Sequence, residues 1–178
     1  MLDNSSPHFF WKILDELPFD KVVVQFPRNP ISYSKGYVIQ VIPKNANEWI
    51  GNFKGIDQQY FSGVFVWPET RYICVIARGT AYVVHADNPE IYEELSIVPI
   101  IGAHSILEQR MIVFSTFWEI SAFGEKGLLW KTQKLAIDGI EIKSIENGFI
   151  YGVSKSYDKD LPFKIDLRTG EIIRGNVK

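Results

Sequence analysis

The 178-residue chain reads as an all-β protein: short antiparallel strands in a propeller-like or sandwich-like meander of ~40-residue units, with a short N-terminal helix. Three observations predict this. The 12 Phe, 8 Tyr and 5 Trp favour the half-buried pleated surface of a sheet. Short β-branched or aromatic runs recur at even spacing, bounded by Pro, Gly and Asn. A strand, a polar turn and an apolar pair follow one another several times along the chain.

The length fits one domain, residues 1–178, since a domain commonly holds roughly 100–200 residues. Such a chain buries on the order of 70% of its unfolded surface, so it needs no disulfide or metal to fold.

The elements follow in order. "SSPHFFWKILDEL" predicts the helix. Ser6 caps it, Pro7 takes the first helical position, and Phe10, Ile13, Leu14 and Leu17 share one face before Pro18 closes it. "KVVVQF" (21–26), "YVIQVI" (37–42) and "GVFVW" (63–67) read as strands. "RYICVIA" and "TAYVVHA" flank Arg78-Gly79, a hairpin signal. "DNPEIYEEL" predicts a second helical turn, with Asn88 as cap, Pro89 opening it and Glu90 near the positive end of its dipole. "RMIVFSTFWEISAF" is too long for one strand and divides near Ser115-Thr116. "IEIKSI", "GFIYGVS" and "FKIDL" complete a set of ten or eleven strands, with turns at 146–148 and 168–171.

Three segments share one shape: "AYVVHADNPEIYEE", "EISAFGEKGLLWKT" and "FKIDLRTGEIIRG". Aligning Tyr82, Ile120 and Phe163 gives intervals of 38 and 43 residues. "YVIQVIPKNANEWIG", around Gln40, is a weaker copy 42 residues upstream of Tyr82. In "ISAFGEKGLLWKT", Ala122, Gly127 and Trp130 resemble the repeat of quinoprotein-type β-propellers, in which a tryptophan docks between blades. "IDLRTGEII" is similar through Ile165, Asp166, Thr169 and Gly170, with Ile173 in the tryptophan's place. The resemblance implies a fold of that kind and no cofactor, because no residue matches those that hold the quinone. At ~40 residues per blade the chain has room for four. A compact four-bladed ring, an open meander and a twisted sandwich all satisfy this spacing.

Charge excludes little except nucleic acid. The formal net charge is −2, and the basic residues are scattered, the densest group being Lys126, Lys131 and Lys134. A nucleic-acid surface carries a basic stripe. The lone Cys74 lies in an apolar run and reads as a small buried hydrophobe. It permits the cytoplasm. The opening stretch, with Asp3 and charges interrupting its apolar residues, does not read as a secretory leader. No run approaches the roughly 18 apolar residues of a membrane span, and soluble, cytoplasmic residence is the expectation.

Of the histidines, His85 and Asp87 are two apart and His104 and Glu108 four apart. Zinc needs three or four ligands, and neither pair is completed, so no metal is expected. No nucleophile elbow, phosphate loop or dinucleotide fingerprint occurs. With no catalytic residue assigned, the expected function is a non-catalytic module that binds a partner protein. Its surface is an aromatic and acidic patch of Trp67, Glu69, Tyr72 and Trp118, because tryptophans at strand ends beside a charge form binding hot spots. A carbohydrate or small-molecule site on the same aromatics is the alternative, and a hydrolase using His104, Glu108 and His85 is another. Open sheet edges also predict self-association.

Overall fold

The computed structural model describes residues 6–32, 34–156 and 159–173. The chain divides into two compact units, Met1–Ile100 and Ile101–Lys178.

The first unit holds eight strands: β1 (Phe9–Leu14), β2 (Val23–Phe26), β3 (Tyr37–Pro43), β4 (Trp49–Phe53), β5 (Gly63–Val66), β6 (Tyr72–Ala77), β7 (Thr80–His85) and β8 (Tyr92–Glu94). They form a sheet of order β1-β3-β4-β2, with β2 parallel to β4, and a meander β5-β6-β7-β8. The second unit holds β9 (Gly102–Ile106), β10 (Met111–Ser115), β11 (Ile120–Gly124), β12 (Gly127–Lys131), β13 (Gly139–Glu146), β14 (Phe149–Lys155) and β15 (Leu161–Asp166). Its sheets run β9-β10-β11-β12 and β13-β14-β15, the latter extended by one bridge between Ile165 and Ile172. The protein is therefore all-β, as its aromatic runs predict. Fifteen strands stand among the described residues, more than the runs alone suggested.

The predicted N-terminal helix is a strand. Phe9 and Trp11 alternate inward while Phe10 and Ile13, expected on a buried helical face, are 45% and 52% exposed. Full-length pairing with β3, from Phe9 opposite Pro43 to Leu14 opposite Val38, satisfies the main chain that an isolated two-turn helix would hold only marginally. Ser6 still caps, but it caps a turn: its Oγ accepts the N–H groups of His8 and Phe9 at 3.0 and 3.2 Å. The second predicted helix is likewise a turn. Asn88 Oδ1 accepts the Glu90 N–H at 3.1 Å, and the chain passes into β8 as the partner of β7.

Turn chemistry elsewhere follows the sequence. Arg78 and Gly79 take φ of 47° and 87° between β6 and β7, the positive-φ pair that closes a two-residue hairpin. The division near Ser115 falls between β10 and β11. Tyr82, Ile120 and Phe163 all lie on the third strand of their sheets, so the three-segment alignment matches the topology. The bridge sets Ile172 rather than Ile173 opposite Ile165, where Trp130 stands opposite Ala122.

In each unit the core lies between two sheets. In the first, Phe26 stacks on Phe53 with centroids 4.3 Å apart, and Phe53 meets Tyr82 of the second sheet at 5.5 Å. Ile39, Val41, Val75 and Val84 fill in around them. In the second, Val113, Ile120 and Ala122 pack with Ile140, Ile150, Phe163 and Ile165. Each fully buried aliphatic or aromatic side chain contributes roughly 1.5–3 kcal/mol, so these two clusters account for why short strands hold.

Candidate functional site

The loop from β5 to β6 brings together three of the four residues predicted for the binding patch. Trp67 N–H donates to the Tyr72 carbonyl at 3.0 Å, and Tyr72 N–H to the Glu69 carbonyl at 2.9 Å. Trp67 is 5% exposed, its ring turned into the protein. Glu69 pairs with Arg71 at 3.2 Å through Oε1, and its buried Oε2 meets no hydrogen-bond partner among the described residues. Tyr72 is half-buried and meets the His85 ring edge-on, centroids 4.9 Å apart.

Trp118, the fourth, belongs to the other unit and sits in the four-residue connection between β10 and β11. Here Thr116 builds the turn. Its Oγ1 accepts the N–H groups of Trp118 and Glu119 at 3.2 and 3.1 Å, and its N–H donates to the Glu119 carbonyl at 2.9 Å. Leu135 N–H donates to the Trp118 carbonyl at 2.7 Å. Glu119 pairs with Lys131 at 2.5 Å. The main chain of Trp118 is thus held on both sides while its side chain, next to Phe117 at 6.1 Å, leaves the residue 42% exposed.

The histidines do not converge. His85 Nδ1 accepts the Asp87 N–H at 3.2 Å, closing a turn rather than offering a shared face. His8 lies at the start of the chain beside Ser6. His104 is on β9, and Glu108 follows in a single 3-10 turn, Leu107–Gln109, so the two are not a helical pair. Among the described residues no three His, Cys, Asp or Glu are grouped to hold a metal. Cys74 is fully buried, and desolvation pushes its thiol far above the ordinary range.

A cleft of about 320 Å³ opens in the second unit between β9 and β13. It is lined by His104, Ser105 and Ile106 on one side and Ile142, Lys143, Ser144 and Ile145 on the other. Both strands are sheet edges. A bulge between Ile142 and Ser144 takes Lys143 out of the ladder with β14. Lys143 pairs with Glu141, which Lys155 also approaches at 3.7 Å, and Ser144 donates to Glu146 at 2.9 Å. Partial desolvation lowers the His104 pKa below its ordinary value, which disfavours the charged ring. Nothing in the sequence marks this cleft, because "GAHSI" carries one β-branched residue and gives little strand signal.

Compared with known proteins, the chain matches no protein-family model and no curated sequence. No helix among the described residues is long and apolar enough to cross a membrane.

Proposed function

We propose that this chain is a non-catalytic protein-interaction module, and that Trp118 is its principal anchor. One observation carries the reading: a tryptophan 42% exposed on a turn whose main chain is fixed by Thr116 and Leu135. Such a side chain loses little freedom on binding, and exposed, pre-ordered tryptophans dominate interface energies. Glu119 adds the neighbouring acid. In the other unit Glu69 and Tyr72 supply an acidic and aromatic turn, with Trp67 packed beneath as its support. The buried, unpaired thiol suits the reducing cytoplasm as the working compartment.

A propeller-like arrangement of the sheets belongs to the same proposal. What supports it is the meander order of three of the four sheets and the tryptophan of β12, whose indole N–H reaches the carbonyl of Leu167 just past β15 at 2.9 Å. A tryptophan docked in this way is what the quinoprotein-type resemblance would call for.

The test is quantitative capture of proteins from the source cells on the immobilised chain. Trp118→Ala is expected to lower recovery of the specific partner roughly 30-fold, the equivalent of a 2 kcal/mol hot spot, with an unchanged circular dichroism spectrum. Equal recovery by Trp118→Ala and by a Glu69→Ala, Tyr72→Ala double variant sinks the reading.

A further inference from the structure

Strand edges invite other strands, and proteins guard them with lysine, proline or bulges. The second unit guards most of its edges in this way. β12 ends in Lys131 and is bulged against β11. β13 carries Lys143 at its own bulge. β15 contains Pro162 and is partly covered by the bridge to Ile172. β9, Gly102-Ala103-His104-Ser105-Ile106, has none of these devices. Its pairing with β10 is regular from Gly102 opposite Ser115 to Ile106 opposite Met111. Its one titratable side chain, His104, has its charged form disfavoured by partial desolvation.

We propose that the free edge of β9 takes up an extended segment of a partner protein as an added strand. The proposal rests on the reading of the chain as an interaction module, and it names how the partner is held. The added strand lies in the cleft, with β13 as its opposite wall. Main-chain groups that β9 does not spend on β10 supply the hydrogen bonds. Side chains of the segment that point toward β13 meet Ile142 and Ile145, while Ser105 and Ser144 meet polar neighbours. The charges near the cleft pair among themselves, Lys143 with Glu141. The fitting segment is therefore uncharged, alternating small polar with β-branched residues, and recognition comes from backbone rather than from ions.

The probe is the blocked peptide acetyl-Thr-Val-Thr-Val-Thr-amide, titrated into the ¹⁵N-labelled full chain. A twin with alternate peptide nitrogens methylated serves as control. Saturable shifts in the amide signals of Gly102–Ile106 and Ile142–Ile145 at millimolar peptide are expected. Binding weakens by about tenfold or more with the methylated twin, whose added-strand donors are gone. Ser105→Lys, which adds the guard that β9 lacks at an exposed position, weakens it too. Ser144→Trp fills the cleft from the other wall and serves if Ser105→Lys alters the fold. Absence of shifts overturns the proposal. So does equal binding of the methylated peptide, which would make the cleft an apolar small-molecule site. The two readings fail separately: Trp118-dependent capture with no peptide shifts removes only the added strand. Peptide shifts with no Trp118 dependence remove only the anchor.

Discussion

Trp130 and Leu167 are joined by a hydrogen bond of 2.9 Å from the indole Nε1 to the main-chain carbonyl, 37 residues along the chain. Trp49 makes the same bond to Ala86 at 2.7 Å, across the same 37 residues. The two tryptophans stand 81 positions apart, and so do their acceptors. Around them the packing repeats at that offset. Ile39 and Val41 fall on Ile120 and Ala122, and Tyr82 and Val84 on Phe163 and Ile165, all core residues. Each unit therefore contains one copy of a two-sheet device in which a tryptophan of one sheet is fastened to the next.

Replacing Trp130 by Phe keeps an aromatic ring but removes the donor to Leu167, leaving a buried carbonyl without it. The expected loss is roughly 1–3 kcal/mol, read as a lower urea midpoint with unchanged slope. Trp49→Phe is expected to lose an amount within about 1 kcal/mol of this, since both indoles are 8% exposed. A loss confined to one variant would separate the two docks in strength and weaken the case for a repeated device.

Two glycines of similar backbone conformation divide strain from contact. Gly148 has φ +78° and open space where a Cβ would go; Gly170 has φ +73° but a Cβ there would stand 2.6 Å from Trp130 Cε3. Gly148→Ala is expected to cost roughly 1–2 kcal/mol, the price of a left-handed residue. Gly170→Ala adds displacement of the docked indole, for a total of roughly 3 kcal/mol or more. Thermal unfolding of the two variants gives the comparison, and a Gly170→Ala no worse than Gly148→Ala would place the Trp130 ring away from the turn.

How much of this was legible in the sequence varies with the range of the interaction that decides it. Turns are local: Arg78-Gly79 and the stretch 146–148 read as turns in the sequence, and Gly79 and Gly148 take the positive φ those turns need. Trp130 stood out only through the quinoprotein-type resemblance of its hairpin, and its acceptor, Leu167, lies 37 residues on, beyond any local cue. The segment from Phe9 to Leu14 satisfied two periods at once: Phe10, Ile13 and Leu14 at helical spacing, Phe9 and Trp11 at strand spacing. Pairing with β3, some 30 residues on, settled it, and nothing local could. The site shows the same limit. Trp67 and Trp118 offer identical local cues, a tryptophan at a strand end close to an acid. One is buried and the other exposed, because burial depends on which distant strands arrive, and β9 was illegible for want of branched residues.

Cys74 is buried on β6 with its thiol pKa raised by desolvation. The thiolate is the reactive species, so the native protein is expected to resist a disulfide reagent at pH 8 for hours. One thiol per chain then reacts promptly in urea. Prompt reaction without denaturant would mean that the first unit opens locally at low free energy.

His104 gives the pH dependence near neutrality. Its pKa in the folded chain lies below the ordinary value of 6.5, because burial disfavours the charged ring. The unfolded chain therefore binds more protons between the folded value and 6.5, and stability rises with pH across that interval. The contribution is fully present above pH 6.5, shrinks as pH falls through the window, and is constant below it. The effect is small, since the ring is only partly desolvated and much of the residue still faces water, which screens it. Asp166 acts elsewhere: N–H groups of Thr169 and Arg168 hold its carboxylate below its usual 3.8, so its share is lost only as pH falls below that value. Urea unfolding from pH 5 to 8 on wild type and His104→Gln isolates the histidine. The difference between the two curves is expected to change between pH 5 and 6.5 and to be flat from 7 to 8. A difference that varies only above pH 7 would require a raised pKa, and hence an anionic neighbour holding the charged ring on the β9 edge.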